Sequence, residues 1–393
     1  MADVVVVGGG VIGTCAAHGL ARAGAEVVVL DPAPGRGASW GNAGLVVPSY
    51  ALPLATPAVL LSLLGAHPEV TFGRPLPLGT LLWLGRFALA ARPGRAWRVA
   101  ERLRALAEAS RRFYDELDIP LCASGLLHVA RDEETWRTER AAARRLAAIG
   151  VRSEELDPEA LARAEPGLAA GAAGAIRFPD DRSLDPERAT AAIAAAAVAH
   201  GAEYRPWTVT GVVRTAGRVT AVETDHGLVR GRAFVIAAGA ASARVGRLFG
   251  VRLPVEAAHG WSLTIPAAGP LLAHPVVLAD DQVVVNAGPD RVRLTGGLEF
   301  GGPGAAGPDP RAVARLREAA NRAVPALADI AAPGVPWRGA RPMTPDGLPL
   351  IRVVADGVVA ATGHGTLGMT LAPATGRIVT ALVGGSAATR TGG

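Results

Sequence analysis

The N-terminal residues contain a glycine pattern whose spacing could bind a dinucleotide. The pattern G-x-G-x-x-G is formed by Gly8, Gly9, Gly10, Val11, Ile12 and Gly13. A β-branched run precedes it, an alanine-rich helical segment follows it, and Asp31 ends a second apolar run. The glycines permit a tight turn, close approach of the backbone to a pyrophosphate, and close packing of helix against strand. N–H groups at the helix N-terminus would bind the phosphates, and Asp31 would bind the adenosine ribose and repel a 2′-phosphate. The sequence therefore predicts an FAD or NAD site.

The segments around this pattern indicate a nucleotide-binding sheet that the chain leaves and re-enters. From Pro32 to Pro93 the sequence is rich in Pro, Gly and Leu, whereas an NAD dehydrogenase usually continues with alternating strands and helices. Apolar runs between residues 203 and 298 are separated by glycine turns and predict antiparallel strands. The fold class is therefore α/β. A Rossmann-like FAD-binding domain with a mixed, mainly parallel central sheet is interleaved with an antiparallel-sheet substrate domain of α+β type.

The predicted domains are both discontinuous. We expect the FAD-binding domain to comprise residues 1–50, 92–118, 186–250 and 336–393. The substrate or cap domain then comprises residues 51–91, 119–185 and 251–335. Asp157-Pro158 and Asp185-Pro186 have the residue types that cap and begin a helix. A chain of 393 residues accommodates these two domains without a further nucleotide domain.

Motifs along essentially the whole chain resemble one family of flavoenzymes. Besides the glycine turn and Asp31, they are Ser39-Trp40-Gly41-Asn42-Ala43-Gly44, Leu52-Pro53-Leu54-Ala55, Asp185-Pro186, Val235-Ile236-Ala237-Ala238-Gly239, the run from Gly339 to Pro349, and Gly363-His364-Gly365-Thr366-Leu367-Gly368. The sequence resembles the D-amino-acid oxidase superfamily of FAD enzymes. Within it, the branch of D-amino-acid dehydrogenase (small subunit) and hydroxyproline dehydrogenase is the most similar, and glycine and sarcosine oxidases are more distant.

The resemblance implies roles for four side chains near the substrate. Arg341 stands where the family places the arginine that holds the substrate carboxylate, a role that suits a planar, permanently charged guanidinium. Trp261 stands where relatives often have an aromatic residue that lines the substrate pocket, although a core position is the alternative interpretation. His364 would contact the flavin or would be a packed histidine. Tyr50 is a weaker candidate for the pocket.

The resemblance also implies the residues that contact the cofactor beyond the glycine turn. They are Ser39, Asn42, Ala43, Gly44, Ala238, Gly239, Gly363, Gly365, Thr366, Leu367 and Gly368. Residues 363–368 repeat the spacing G-x-G-x-x-G, but no βαβ unit follows, so they predict a turn beside the flavin pyrimidine ring rather than a second dinucleotide site. No Cys stands close before Thr344-Pro345-Asp346, which implies non-covalent FAD. His259 and Arg352 depart from the family's usual residues and leave the substrate open.

The implied reaction is the oxidation of a small amino or imino acid, of the D-amino acid or proline and hydroxyproline type. Hydride would pass from Cα–H to flavin N5 and give an imine, and oxygen or a quinone would reoxidise the flavin. The alternatives are a tailoring amine oxidase of a biosynthetic pathway, a glycine or sarcosine oxidase, and a non-catalytic FAD electron-transfer subunit. A flavin monooxygenase would need an NADPH site, for which no second fingerprint exists.

Composition excludes several other classes of protein. The 40 basic residues are all Arg, they are scattered among 35 carboxylates, and the net charge is only +5, which argues against a nucleic-acid partner. Two cysteines exclude a disulfide framework and a Cys-rich zinc site. The sequence predicts a cytoplasmic protein without a signal peptide or a membrane span. The apolar segment from Leu78 to Ala91 allows a peripheral contact with a membrane or a partner subunit, although a helix that covers the core is the favoured interpretation.

Overall fold

A computed structural model describes residues 1–50, 52–62, 70–73, 75–122, 124–301 and 307–388. The strands are β1 Ala2–Val7, β2 Val27–Leu30, β3 Leu45–Val46, β4 Thr71–Gly73, β5 Leu126–Ala130, β6 Glu154–Leu156, β7 Gly174–Phe178, β8 Arg182–Ser183, β9 Glu203–Arg205, β10 Val209–Thr215, β11 Arg218–Thr224, β12 Gly227–Ile236, β13 Glu256–Pro266, β14 Val276–Leu278, β15 Val283–Ala287, β16 Arg291–Gly301, β17 Val335–Met343, β18 Leu350–Ala355 and β19 Val358–Thr362. The helices are α1 Val11–Arg22, α2 Pro57–Ser62, α3 Leu78–Ala90, α4 Pro93–Glu116, α5 Glu133–Ala147, α6 Pro158–Ala164, α7 Pro186–Ala199, α8 Ser242–Leu248, α9 Pro310–Ala323, α10 Pro325–Ala328 and α11 Gly368–Ala388.

The first sheet is mixed and mainly parallel. Its strand order is β10-β11-β12-β1-β2-β9, and β19 pairs with β12 and β18. The pairs β1–β2, β1–β12, β2–β9 and β12–β19 are parallel, whereas β10–β11, β11–β12 and β18–β19 are antiparallel. β1 and β2 are valine-rich because strands covered on both faces bury every side chain. Helices α1, α7 and α11 pack together on one face, and α8 packs on the other.

The second sheet is mainly antiparallel. Its order is β17-β13-β16-β15-β14-β5-β7-β6, with β4 added beside β16. Leu263, Leu294 and Val285 from one face pack against Leu316 of α9 and form the largest core cluster of this part of the chain. Side chains alternate along a strand, so the opposite face of this sheet is free to contact other segments. Arg293 of β16 contacts the backbone of Trp40, in the segment that follows β2. The predicted fold class is therefore confirmed.

Two helix starts and one strand assignment bear on the predictions from sequence. The side chain of Asp157 caps α6 by accepting the N–H of Ala160, and that of Asp185 caps α7 by accepting the N–H of Glu187, as predicted. β17 pairs with β13 and thus belongs to the second sheet, although it lies within the segment 336–393 that was predicted to be FAD-binding. The domain boundaries stay a prediction. None of the helices in the described ranges is both long and apolar enough to cross a bilayer.

Candidate active site

The glycine turn joins β1 to α1 and brings backbone atoms of two strands into contact. A Cβ atom at position 13 would lie 1.8 Å from the carbonyl oxygen of Gly8, and one at position 8 would lie 2.3 Å from that of Ala237. Gly8 also has a φ of +113°, which disfavours any side chain. Only glycine therefore fits at both positions. The N-cap residue of α1 is Gly10, which has no side chain to cap the helix, and the N-terminal end of the helix dipole faces the turn.

Asp31 and Ser39 lie on either side of this helix start. The carboxylate of Asp31 accepts the N–H of Gly9 at 2.7 Å and the N–H of Ala33 at 2.8 Å. It is thereby fixed beside the turn and keeps lone pairs for a ribose hydroxyl. Ser39 Oγ accepts the N–H of Val11 at 2.9 Å, which ties the loop that begins at Ser39 to the first turn of α1.

The loop of residues 39–44 is held from inside and from the second sheet. Asn42 Nδ2 donates to the carbonyl of Ser39 at 2.9 Å, and Asn42 Oδ1 accepts the N–H of Gly44 at 2.6 Å, so this side chain shapes its own loop. Asn286 Nδ2 of β15 donates to the carbonyl of Ala43 at 2.8 Å. Arg293 of β16 donates to the carbonyl of Trp40. Two strands of the second sheet therefore position the loop.

A second glycine turn, residues 363–368, connects β19 to α11 and packs against the end of β17. The N–H of Gly365 donates to the carbonyl of Pro342 at 2.9 Å, one residue beyond Arg341. Thr362 Oγ1 donates to the carbonyl of Gly239 at 3.1 Å, so the end of β19 lies beside the predicted cofactor residues Ala238 and Gly239. Of the remaining turn residues, Leu367 is buried and Thr366 is exposed.

His364 in this turn is buried, and one of its ring nitrogens has no partner. Its Nε2 lies 2.8 Å from Thr375 Oγ1, whose own proton is donated to the carbonyl of Leu371. Nε2 is therefore the protonated nitrogen, and Nδ1 is a buried acceptor without a hydrogen-bond partner in the described part of the chain. Burial lowers the pKa of His364 to about 3, so the ring is neutral at pH 7.

These features fit FAD. The glycine N-cap of α1 suits a pyrophosphate, Asp31 suits a ribose, and the orphaned Nδ1 of His364 lies in the turn predicted to meet the flavin. The residues that would hold the group are thus the glycine turn, Asp31, the loop 39–44, Ala238-Gly239 and the turn 363–368. Their individual contacts with FAD stay predictions.

One face of the second sheet carries the predicted carboxylate-binding residue. On β17, Trp337, Gly339 and Arg341 alternate on the same side of the strand. Across the ladder, Gly260 pairs with Gly339, and Ser262 pairs with both Trp337 and Thr295. Thr295 and Arg293 alternate on one side of β16, and Arg293 contacts the loop 39–44. This face, which we call the glycine face, is therefore turned toward the predicted flavin loop.

Arg341 is a half-buried cation that has no carboxylate partner among the described residues. Its side chain is half-buried, and Nη1 of the guanidinium donates to the carbonyl of Gly297 at 2.5 Å. Burial lowers the pKa of Arg341 to about 10, which leaves it charged at pH 7. No acidic side chain of the described ranges forms an ion pair with it. A desolvated cation of this kind is suited to bind an anionic ligand.

The other predicted pocket residues lie in different surroundings. Trp261 is only 7% exposed and packs with Leu263 and Leu294 in the core cluster beneath α9. Because it alternates with Gly260, it lies on the face opposite to Arg341, and the structure does not bring these two side chains together. His259 is on that same opposite face, where burial and then Arg338 lower its pKa. Arg352 is exposed on β18.

Tyr50 lies at the other end of the second sheet's inner surface. Its ring is 5.4 Å from that of His128 on β5, and it packs against a core cluster that includes Leu367. It is therefore close to the turn 363–368 but several strands away from Arg341. Its place in the substrate pocket stays a prediction.

Two residues that position the loop 39–44 were not found from the sequence: Arg293 and Asn286. Arg293 is buried, no acidic side chain of the described ranges lies at hydrogen-bonding distance from it, and burial lowers its pKa. The one signal available was a charged residue in the middle of the apolar strand Val292 to Thr295. Their roles depend on contacts with a loop some 250 residues away, which no local pattern reports.

Comparison with known proteins extends the likeness over the whole chain. The family model described as "DAO: FAD dependent oxidoreductase" matches residues 3–382. A D-amino acid dehydrogenase of Methylobacterium sp. is 36% identical, covering 97% of this chain and 95% of the relative. A D-amino acid dehydrogenase of Paramagnetospirillum magneticum is 35% identical over the same shares of the two chains.

Solved structures show the same fold. Glycine oxidase from Geobacillus kaustophilus superposes with a TM-score of 0.74 at 28% identity, covering 98% of this chain and 94% of that one. L-proline dehydrogenase from P. horikoshii gives a TM-score of 0.74 at 20% identity, over 97% and 93% of the two chains. The glycine turn, Asp31 and the match over residues 3–382 lead to one assignment. The chain belongs to the DAO family of FAD-dependent oxidoreductases.

Proposed function

We propose that this enzyme oxidises a small amino or imino acid and that Arg341 holds the substrate carboxylate. The observation that carries the proposal is the desolvated guanidinium of Arg341, which has no acidic partner in the described chain and lies on the glycine face. The D-amino acid dehydrogenases at 35–36% identity and the glycine oxidase at 28% identity support the substrate class. Non-covalent attachment of FAD is part of the proposal.

The chemistry divides between the cofactor and the chain. When bound, FAD supplies the acceptor for the hydride of the substrate Cα–H. Arg341 binds both carboxylate oxygens and so fixes the orientation of Cα relative to the loop 39–44. Arg293 and Asn286 hold that loop through its backbone carbonyls. These residues bind and orient, and the proposal requires no acid–base side chain, because the amine reacts in its neutral form.

A screen of substrates under anaerobic conditions tests this function. Purified holoenzyme is mixed with D-amino acids, the stereoisomers of proline and hydroxyproline, glycine and sarcosine, and loss of the flavin band is recorded. We expect bleaching with at least one small member, independent of the electron acceptor. If none of these compounds reduces the flavin, the proposed substrate class is wrong. Bleaching by the isolated chain would also exclude a non-catalytic electron-transfer subunit.

We further propose that α3 rests on an anionic lipid surface, where a quinone could serve as acceptor. The helix exposes four leucines, namely Leu78, Leu81, Leu82 and Leu89. Arg86 and Arg92 are exposed nearby, and the segment from 70 to 100 contains no Asp or Glu. Exposed leucines beside arginines and without acidic residues are complementary to anionic headgroups over an apolar interior. An apolar cavity of about 220 Å³, lined by Phe72, Trp83, Phe87 and Phe300 among others, adjoins this surface.

Vesicle binding tests this surface. Holoenzyme is sedimented with vesicles of phosphatidylcholine alone or mixed with phosphatidylglycerol. We expect the wild type to bind the anionic vesicles. The double variant with Leu82→Glu and Leu89→Glu should bind them at least tenfold more weakly, because neither side chain would enter the lipid. Leu228→Glu, at an exposed leucine of the first sheet, is the matched control. Absence of vesicle binding by the wild type would overturn the lipid contact and leave a partner subunit as the occupant.

A further inference from the structure

Trp337 lies between the predicted carboxylate site and the loop 39–44. We propose that its indole is the wall that limits the side chain of the substrate, so that the enzyme prefers amino or imino acids whose side chains are short and uncharged. The inference deepens the proposed function and rests on it, because it takes Arg341 as the residue that binds the substrate carboxylate.

The guanidinium of Arg341 and the indole of Trp337 lie over the same part of the β13–β17 ladder. Gly260 and Gly339 face each other directly across β13 and β17. A Cβ atom at position 260 would lie 2.1 Å from Nη1 of Arg341, and one at position 339 would lie 1.7 Å from Cη2 of Trp337. Cβ positions that face each other in an antiparallel pair are about 4.5–5.5 Å apart. The guanidinium and the indole therefore lie side by side above one pair of glycines.

The loop 39–44 holds the indole of Trp337 in place. A Cβ at position 41 would lie 2.0 Å from Cε3 of Trp337, so the ring lies against Gly41 as well as Gly339. Its ring centroid is 6.1 Å from that of Trp40, and the planes are inclined by 55°. Trp40 in turn packs beneath the guanidinium of Arg293, 5.7 Å from its centroid. The ring therefore has a backing layer and cannot swing away without moving the loop 39–44.

A substrate bound at Arg341 would meet the indole of Trp337 close to its Cα. A molecule whose carboxylate binds Arg341 has its Cα one bond beyond the carboxylate carbon, and the neighbouring indole then lies within a few bonds of Cα. A short aliphatic or cyclic side chain can pack against the ring, whereas a long one collides with it. A charged side chain would lose its hydration against an apolar surface, at a large cost in free energy. The wall therefore selects small neutral side chains.

Carboxylate binding measures this limit without turnover. Wild type, Trp337→Ala and Trp337→Phe, each as holoenzyme, are titrated with acetate, propionate, butyrate and hexanoate, and the shift of the flavin absorption band reports binding. In the wild type we expect affinity to fall about tenfold or more between propionate and hexanoate. Trp337→Ala should remove this fall, and Trp337→Phe should give an intermediate profile. Trp207→Ala, at an indole that stacks on His226 in turns beside the first sheet, is the control and should match the wild type.

Turnover provides the second readout. The ratio of kcat/KM for D-norleucine to that for D-alanine should rise at least tenfold in Trp337→Ala and less in Trp337→Phe. An unchanged chain-length profile in both variants would overturn the role of Trp337. If no amino acid reduces the wild-type flavin, the proposed function fails, while the carboxylate profile still decides whether Trp337 is the wall. If Trp337→Ala does not fold, Trp337→Phe carries the test alone.

Discussion

The guanidinium of Arg341 lies directly over Gly260, and a Cβ at position 260 would fall 2.1 Å from Nη1 of that arginine. The two residues are on neighbouring strands, β17 and β13, and on the same face of the second sheet. The position of the carboxylate-binding group thus depends on the absence of a side chain on the adjacent strand. A bidentate contact tolerates little displacement, which makes this relationship testable.

Gly260→Ala should displace the guanidinium and weaken carboxylate binding. Since a misplacement of about 1 Å can cost about a hundredfold in rate, we expect kcat/KM for the best substrate to fall by about 10–100-fold. Flavin content should stay near that of the wild type. Gly79→Ala is the matched control, because a Cβ at that helical position meets no atom within 4 Å. Equal kcat/KM in Gly260→Ala and wild type would contradict the placement of Arg341.

Asn286→Ala should loosen the loop 39–44. The substitution removes a hydrogen bond of 2.8 Å to the carbonyl of Ala43 and leaves that carbonyl unpaired, which costs about 1–3 kcal/mol. If the whole cost falls on the FAD-bound state, we expect the affinity for FAD to fall by about five- to a hundredfold. Flavin release on dilution measures this loss. Asn321→Ala on α9 is the control, since its Oδ1 has no hydrogen-bond partner in the described chain. Identical flavin release from both variants would count against the anchoring role of Asn286.

The sequence predicted the glycine turn and the helix cap better than it predicted the residues of the second sheet that hold the loop 39–44. The turn from Gly8 to Gly13 and the cap at Asp185 are local, because each depends on residues a few positions apart. Arg293 and Asn286 act on a loop far away in the chain, so only the sheet pairing reveals them. The face on which Trp261 lies is likewise set by the register between β13 and β17, which composition does not report.

A buried carboxyl predicts an unusual dependence of stability on pH. Asp181 accepts the N–H and the hydroxyl of Ser49, and burial raises its pKa from 3.8 to about 7. Because the folded-state pKa is the higher one, this carboxyl favours folding fully below pH 3.8, and the contribution is lost as the pH rises toward 7. Asp181→Asn stays neutral, so relative to the wild type it should be more stable near pH 8 than near pH 5.

Urea unfolding at the two pH values measures that difference. We expect the gain of Asp181→Asn over wild type in the free energy of unfolding to increase between them by up to about 1.4 kcal/mol per pH unit. Asp180→Asn is a neighbouring control whose effect should be the same at both pH values, because Arg152 lowers the pKa of Asp180 below 3.8 and this carboxyl is ionised throughout that range. A gain for Asp181→Asn that is constant with pH would show that the carboxyl ionises normally in the folded protein.

The central claim is that Arg341 binds the substrate carboxylate, and Arg341→Ala tests it most directly. The measurement is the dissociation constant of a small carboxylate, from the shift of the flavin band, together with flavin reduction by the best substrate. Loss of two charge-assisted hydrogen bonds should weaken binding by about a hundredfold or more, and Arg341→Lys should recover part of it. Flavin content should be unchanged. Carboxylate affinity and flavin reduction at wild-type levels in Arg341→Ala would contradict the account.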